Sequence, residues 1–130
     1  MKLIFQTVFA WMAIAASAIA AASKPMVSVD TVADLVGRNT VPNERVFLSG
    51  WDSAGDFGAQ RIIRHDPTSV ADTNLGCVYG SNGGGRYIAE DCESGEVDVR
   101  WFRAKGDGLT DDGVAMNAAI QYAGAEKSIR

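Results

Sequence analysis

The sequence predicts an α+β chain: a small, mostly antiparallel sheet with one short helix before it and one after it. Three observations carry that expectation. Segments rich in β-branched and aromatic residues recur between positions 45 and 102, separated by Gly-, Pro- and Asp-rich stretches. In "VDTVADLVGR" and "DDGVAMNAAIQYAG" the apolar residues repeat instead at helical spacing. Between them, "SNGGG" is short enough to join its flanking segments as a hairpin.

The first segment, "MKLIFQTVFAWMAIAASAIAAAS", has one basic residue, an apolar run and then small residues at cleavage-site spacing. That layout is a secretory signal peptide over residues 1–22, cut after Ala22. The alternative is an uncleaved anchor, because about 20 apolar residues can span a bilayer. Pro25 and the alanine-rich end favour cleavage. The expected location is therefore secreted, periplasmic or at the cell surface. The formal charge of the whole chain is −4, and losing Lys2 with the leader makes the remainder more acidic. Such a chain has no nucleic-acid footprint and no polybasic stretch for a membrane surface, so the membrane matters only during export.

After the leader, Asp30 is the expected N-cap of a helix carrying Val32, Leu35 and Val36 and ending near Gly37. "ERVFLSGW" and "QRIIRHD" are expected strands, with the Gly/Asp-rich "DSAGDFGA" between them. "CVYG" and "RYIAE" form the arms of a hairpin. "EVDVRWF" alternates Val97, Val99 and Trp101 with charged residues and reads as a strand with one buried face. Last comes a helix capped by Asp111 or Asp112, with Met116, Ala119, Ile120 and Ala123 as its apolar stripe.

In an oxidising compartment Cys77 and Cys92 can pair and stabilise the fold by about 3 kcal/mol. If Val78-Tyr79 faces Tyr87-Ile88, however, Cys77 lies opposite Ala89. Pairing then needs a twist or bulge, and the sequence leaves the bond open. With His65 the two cysteines do not make a zinc site, which needs four ligands.

The aspartates of "KGDGLTDDG" are the main chemical candidates. A calcium loop starting at Asp107 puts Leu109 at a ligand position, Asp112 where glycine is required and Ala118 where a bidentate Glu belongs. Asp111 and Asp112 diverge by about 100° at a helix start, so they are poorly placed as a glycosidase pair. Helix capping accounts better for them, with Gly106 and Gly108 turning the corner. "GSNGGGR" lacks the Lys-Ser/Thr of a phosphate cradle. His65 is expected at the surface, and Trp51, Trp101 and Tyr87 are sugar-stacking candidates or core. No serine or cysteine stands in an activating context.

Residues 97–120, "VDVRWFRAKGDGLTDDGVAMNAAI", resemble the N-terminal signature of the pectate-lyase superfamily. These are right-handed parallel β-helix proteins, polygalacturonase-like enzymes and phage tailspikes among them. Trp101-Phe102, Ala104–Gly108, Asp111-Asp112 and the alanine-rich helix match in order, while Arg103 and Gly113 depart from the usual glycine and threonine. The resemblance implies a small β-rich domain over 23–102 and the start of a truncated β-helix domain over 103–130, whose helix caps the solenoid. It implies an exported, polysaccharide-directed lyase or glycoside hydrolase, inert without its later coils, or a tailspike-like adhesin or receptor- or carbohydrate-binding module. The polysaccharide would be held by the missing coils, and a tailspike-like chain would trimerise. It carries no catalytic, cofactor-binding or metal-binding residue into this chain, and no cofactor is expected. Met116, Ile120 and Tyr122 must fold back on the sheet or stay partly exposed.

Overall fold

The computed structural model describes residues 24–56, 60–124 and 128–130, so the expected leader lies outside the described residues. Strand β1 (Val27–Val29) precedes helix α1 (Val32–Gly37). The helix begins one residue later than the sequence suggests. Thr31 is its cap, and the Thr31 hydroxyl accepts from the Asp34 N–H at 3.1 Å and donates to the Asp34 carboxylate at 2.7 Å. That reciprocal arrangement satisfies an orphan donor of the first turn, which Asp30 does not do.

The main sheet adds β2 (Arg45–Leu48), β3 (Arg61–Asp66), β4 (Val78–Tyr79) and β5 (Arg86–Ala89), in the order β1-β2-β3-β5-β4. β1 runs parallel to β2 and every other pairing is antiparallel. The sheet is open. Its strand alternation is regular, with Arg61, Ile63 and His65 of β3 facing inward beside Val46 and Leu48 of β2 and Tyr87 and Ala89 of β5. Val32 and Leu35 of α1 join this core.

The hairpin has the expected register, Val78 opposite Ile88 and Tyr79 opposite Tyr87, and the Ala89 N–H donates to the Cys77 carbonyl at 2.9 Å. Directly after Ala89 the chain leaves the ladder in a 3₁₀ turn, Glu90–Glu93, which swings Cys92 back over Cys77. The disulfide forms with the Cα atoms 5.9 Å apart. A helical turn thus does what a bulge was expected to do. Gly76, next to Cys77, is held against the Phe102 ring, where an added Cβ would come within 2.4 Å.

One buried cation organises this region. The Arg61 guanidinium donates to both Asp91 carboxylate oxygens, through Nη2 at 2.6 Å and Nε at 2.9 Å. It also donates to the Gly76 carbonyl, to the Tyr79 hydroxyl at 3.0 Å and to Cys92 Sγ at 3.0 Å. Its plane lies over Trp101, with Cζ 4.3 Å from the ring centroid. Every N–H of the fork has an acceptor, the condition under which a buried guanidinium is tolerable.

Beyond the hairpin the structure departs from expectation. "EVDVRWF" is not one strand. β6 is Glu96–Val97, and a 3₁₀ turn, Val99–Phe102, follows. Asp98 causes the break: its carboxylate accepts from the Arg100 N–H at 2.9 Å and starts the turn. Val97 and Trp101 are buried all the same, so the period-two pattern marked burial but not conformation. Helix α2 (Gly113–Ala123) then returns the chain to β7 (Ser128–Ile129), which pairs in parallel with β6.

These elements overturn the β-helix expectation. There is an open mixed sheet, two short helices and one two-residue parallel pair, with no solenoid coil among the described residues. α2 does not cap a solenoid. It buries Ala115, Ala119 and Ala123 against its own domain, in one cluster with residues of the main sheet. The small alanines allow close approach to the 99–102 turn, and Tyr122 meets Phe102 with ring centroids 5.9 Å apart. Of the two outcomes expected for Met116 and Ile120, folding back on the sheet or partial exposure, the structure has the second, with both about half exposed. The pectate-lyase likeness of residues 97–120 therefore does not extend to the fold. The polysaccharide lyase or hydrolase reading, and the tailspike-like adhesin or carbohydrate-binding alternative, fall with it.

Replacing Arg61 by Ala is expected to cost about 3 kcal/mol in urea denaturation, because acceptors on Gly76, Tyr79 and Asp91 lose their donor. Arg61→Lys should recover only part of the loss, since an ammonium cannot span the fork's acceptors. The Cys77→Ala/Cys92→Ala double variant is expected to lose about 3 kcal/mol in the same assay.

Candidate functional site

The loop candidates resolve into structural roles. Asp107 accepts from the Thr110 N–H at 2.7 Å, the Leu109 N–H at 2.9 Å and the Thr110 hydroxyl at 2.9 Å. Those backbone donors, Thr110 first, hold its carboxyl down to about 2. Asp111 accepts from the Gly113 N–H at 2.9 Å. Asp112 stands at the cap position of α2 but reaches backward, accepting from the Lys105 and Gly106 N–H groups at 2.8 and 2.7 Å. All three pin the loop's own backbone. No group of three or more His, Cys, Asp or Glu able to hold a metal occurs among the described residues.

His65 was expected at the surface and is buried, 3% exposed. Its Nε2 lies 2.8 Å from the Gly84 carbonyl and 3.3 Å from Ser81 Oγ. A carbonyl only accepts, so Nε2 carries the proton and cannot take one from Ser81. That excludes a Ser–His nucleophile pair in this arrangement and leaves Nδ1 as a buried lone pair without a partner among the described residues. His65 latches the 81–85 turn to β3, edge-on to Tyr87 at 5.1 Å. Tyr87 and Trp101 are core residues, not exposed stacking platforms. The Tyr87 hydroxyl donates to Glu44 at 2.6 Å, and Glu44 also pairs with Arg38. Burial opposes the Glu44 charge, but Arg38, Tyr87 and the Val41 N–H outweigh it and hold the carboxyl below its usual range.

The chemically open region lies elsewhere, where the 99–102 turn, the loop to α2 and β7 meet. Three clefts adjoin there, and Lys105 lines all of them. The largest, about 520 Å³, has Val99, Ala104 and Met116 as apolar lining and Arg100, Lys105 and Arg130 as its cations. Asp98 lies beneath, 2% exposed, and its carboxylate accepts from Arg100 Nε at 3.0 Å and stands 3.6 Å from Arg130 Nε. Burial again opposes the Asp98 charge. Arg100 hydrogen bonding, with the charges of Arg100 and Arg130, outweighs it and keeps the carboxyl below its ordinary value. Arg130 also lies over Trp101, 5.9 Å from the centroid, so the same indole meets Arg61 and Arg130.

The neighbouring cleft is lined by Trp51 and Arg103. Arg103 has a left-handed backbone, φ 80°, unusual for a residue with a Cβ. Its guanidinium forms a fork on Asp52 at 2.7–3.0 Å and covers Trp51 at 5.2 Å. Asp56 is spent on the Trp51, Asp52 and Ser53 N–H groups.

No family model matches the chain, and no curated protein matches it. The sequence motifs did not point to the corner cleft. Its one linear signal is "RWFRAK", which sets Arg100, Arg103 and Lys105 within six residues of an acidic chain. Arg130 joins them only through the β6–β7 pairing.

Asp98 gives a pH prediction. Its folded pKa is depressed, so its contribution to stability is complete above the ordinary value of 3.8 and is lost as pH falls through the lower folded value. Thermal melts from about pH 5 to about pH 2 should therefore show a steeper fall for the wild type than for Asp98→Asn.

Proposed function

We propose that this chain works outside the cytoplasm, in the periplasm or at the cell surface, as a small disulfide-stapled binding module. The corner cleft is its ligand site. The observation that carries the reading is the convergence of Arg100, Lys105 and Arg130 on an open apolar hollow. Its volume falls in the range of small-molecule sites, about 300–1,000 Å³. The Cys77–Cys92 bond supports the location, because such bonds persist in oxidising compartments. None of the described helices is long and apolar enough to cross a membrane.

Binding, not turnover, is what the arrangement favours. Asp98, Asp111 and Asp112, which line or adjoin the cleft, all accept hydrogen bonds from the protein itself. The one Ser–His contact is in the wrong tautomer for base catalysis and lies on the hairpin turn, away from the cleft.

The test is an NMR titration of the full chain, read at the Met116 methyl and the Lys105 and Ala104 amides. The probes are glucose, tetramethylammonium, acetate and octanoate. Saturable shifts at these positions with at least one probe are expected. Shifts with none of them, or shifts spread evenly over the surface, would refute the reading.

A further inference from the structure

Resting on the corner cleft as a binding site, we infer that its ligand is a small anionic amphiphile, a carboxylate or similar oxyanion carried on an aliphatic segment. The charge argument comes from counting donors. Arg100 spends Nε and one N–H of Nη2 on Asp98, and Arg130 spends Nη1 on Glu96 at 3.2 Å. A guanidinium has more donors than that. Nη1 of Arg100 and Nη2 of Arg130 have no protein acceptor among the described residues. Both side chains are also about half exposed, 48% and 59%.

The carboxylates at the cleft match its cations in number but are already engaged. Asp98 is buried and holds Arg100 and Arg130, Glu96 holds Arg130, and Asp112 faces the Lys105 and Gly106 N–H groups. What this cleft offers a ligand is therefore the unspent N–H donors of Arg100 and Arg130, with the Lys105 ammonium beside them. A carboxylate suits it because planar N–H forks bind it in two-point fashion, while Lys105 adds a mobile ammonium.

The apolar argument comes from Met116. It is 49% exposed although the buried residues of its helix, Ala115, Ala119 and Ala123, are all small, and it lines the cleft together with Val99 and Ala104. An unbranched thioether is adaptable to irregular alkyl groups. A purely hydrophilic anion would leave this surface wet, whereas an alkyl segment covers it and gains the transfer free energy. The Phe102 and Trp51 clefts share Arg103 and Lys105 as cations but are smaller, about 270 and 280 Å³, and lack Met116, while the hollow beside Tyr122, lined by Asn74, Ala118 and Gln121, has no cation.

Isothermal titration of the full chain with octanoate, octyl phosphate, acetate and octyltrimethylammonium tests this, with Met116 methyl shifts locating each probe. Octanoate or octyl phosphate should bind at least about tenfold more tightly than acetate, from the buried alkyl chain. Either should also bind at least about tenfold more tightly than octyltrimethylammonium, from the charge. Lys105→Glu, an exposed substitution, should weaken octanoate by about tenfold with an unchanged melting profile. Equal binding of the ammonium amphiphile at Met116 would overturn the anion inference and leave the site standing. Equal binding of acetate and octanoate would overturn the amphiphile. A cleft silent to all four probes would sink the site itself. Co-sedimentation with phosphatidylglycerol vesicles without a response to octanoate would overturn a free ligand in favour of a lipid surface.

Discussion

A fully buried guanidinium imposes the strictest constraint in this fold. Arg61 projects inward from the middle of the sheet, where isolated charge is intolerable, and its hydrogen-bond acceptors come from two other segments of the chain. Gly76 and Tyr79 come from the first hairpin arm and its approach, Asp91 and Cys92 from the turn after the second, and Trp101 from the turn before α2. The disulfide holds two of these segments covalently, so it and the cation reinforce each other. The bond limits how far Gly76 and Asp91 can separate, and the cation fixes where Cys92 sits.

The same logic runs outward through Trp101. Its indole receives Arg61 from the core and Arg130 from the surface, while its carbonyl accepts from the Trp51 Nε1–H at 3.1 Å. The corner is thereby anchored to the core, and the cleft cations stand on a rigid base. Asp98 does the matching work on the polar side by starting the turn, orienting Arg100 and drawing in Arg130. A site supported in this way needs little reorganisation to bind.

Much of the fold is legible in the residues. α1, β2, β3 and the hairpin arms stand close to where β-branched content, helical spacing and glycine place them, because each signal is local. The hairpin register was legible too, yet the disulfide was not, since the 3₁₀ turn that closes it follows from Arg61 gripping Asp91. "EVDVRWF" misled for a definable reason: alternate burial is satisfied equally by a strand and by a short strand running into a tight turn. The 97–120 motif misled differently. "GDG" and "DD" specify a loop whose aspartates hold its own N–H groups and lead into a helix, and that local solution can serve an open α+β domain as well as a solenoid cap.

By itself, then, the sequence determined that helices and strands mix in one small chain, the approximate positions of α1, β2, β3, the hairpin arms and α2, and the structural character of the Asp107–Asp112 loop. These follow from near-neighbour sterics and hydrogen bonds, which the chain carries wherever it folds. Only the tertiary structure decided which face of α2 is buried, that Cys77 meets Cys92, that His65 turns inward, and that Arg130 arrives beside Arg100 and Lys105. Each of those outcomes depends on residues distant in sequence competing for one buried space, and desolvation settles that competition only once the sheet, the turns and α2 are packed together.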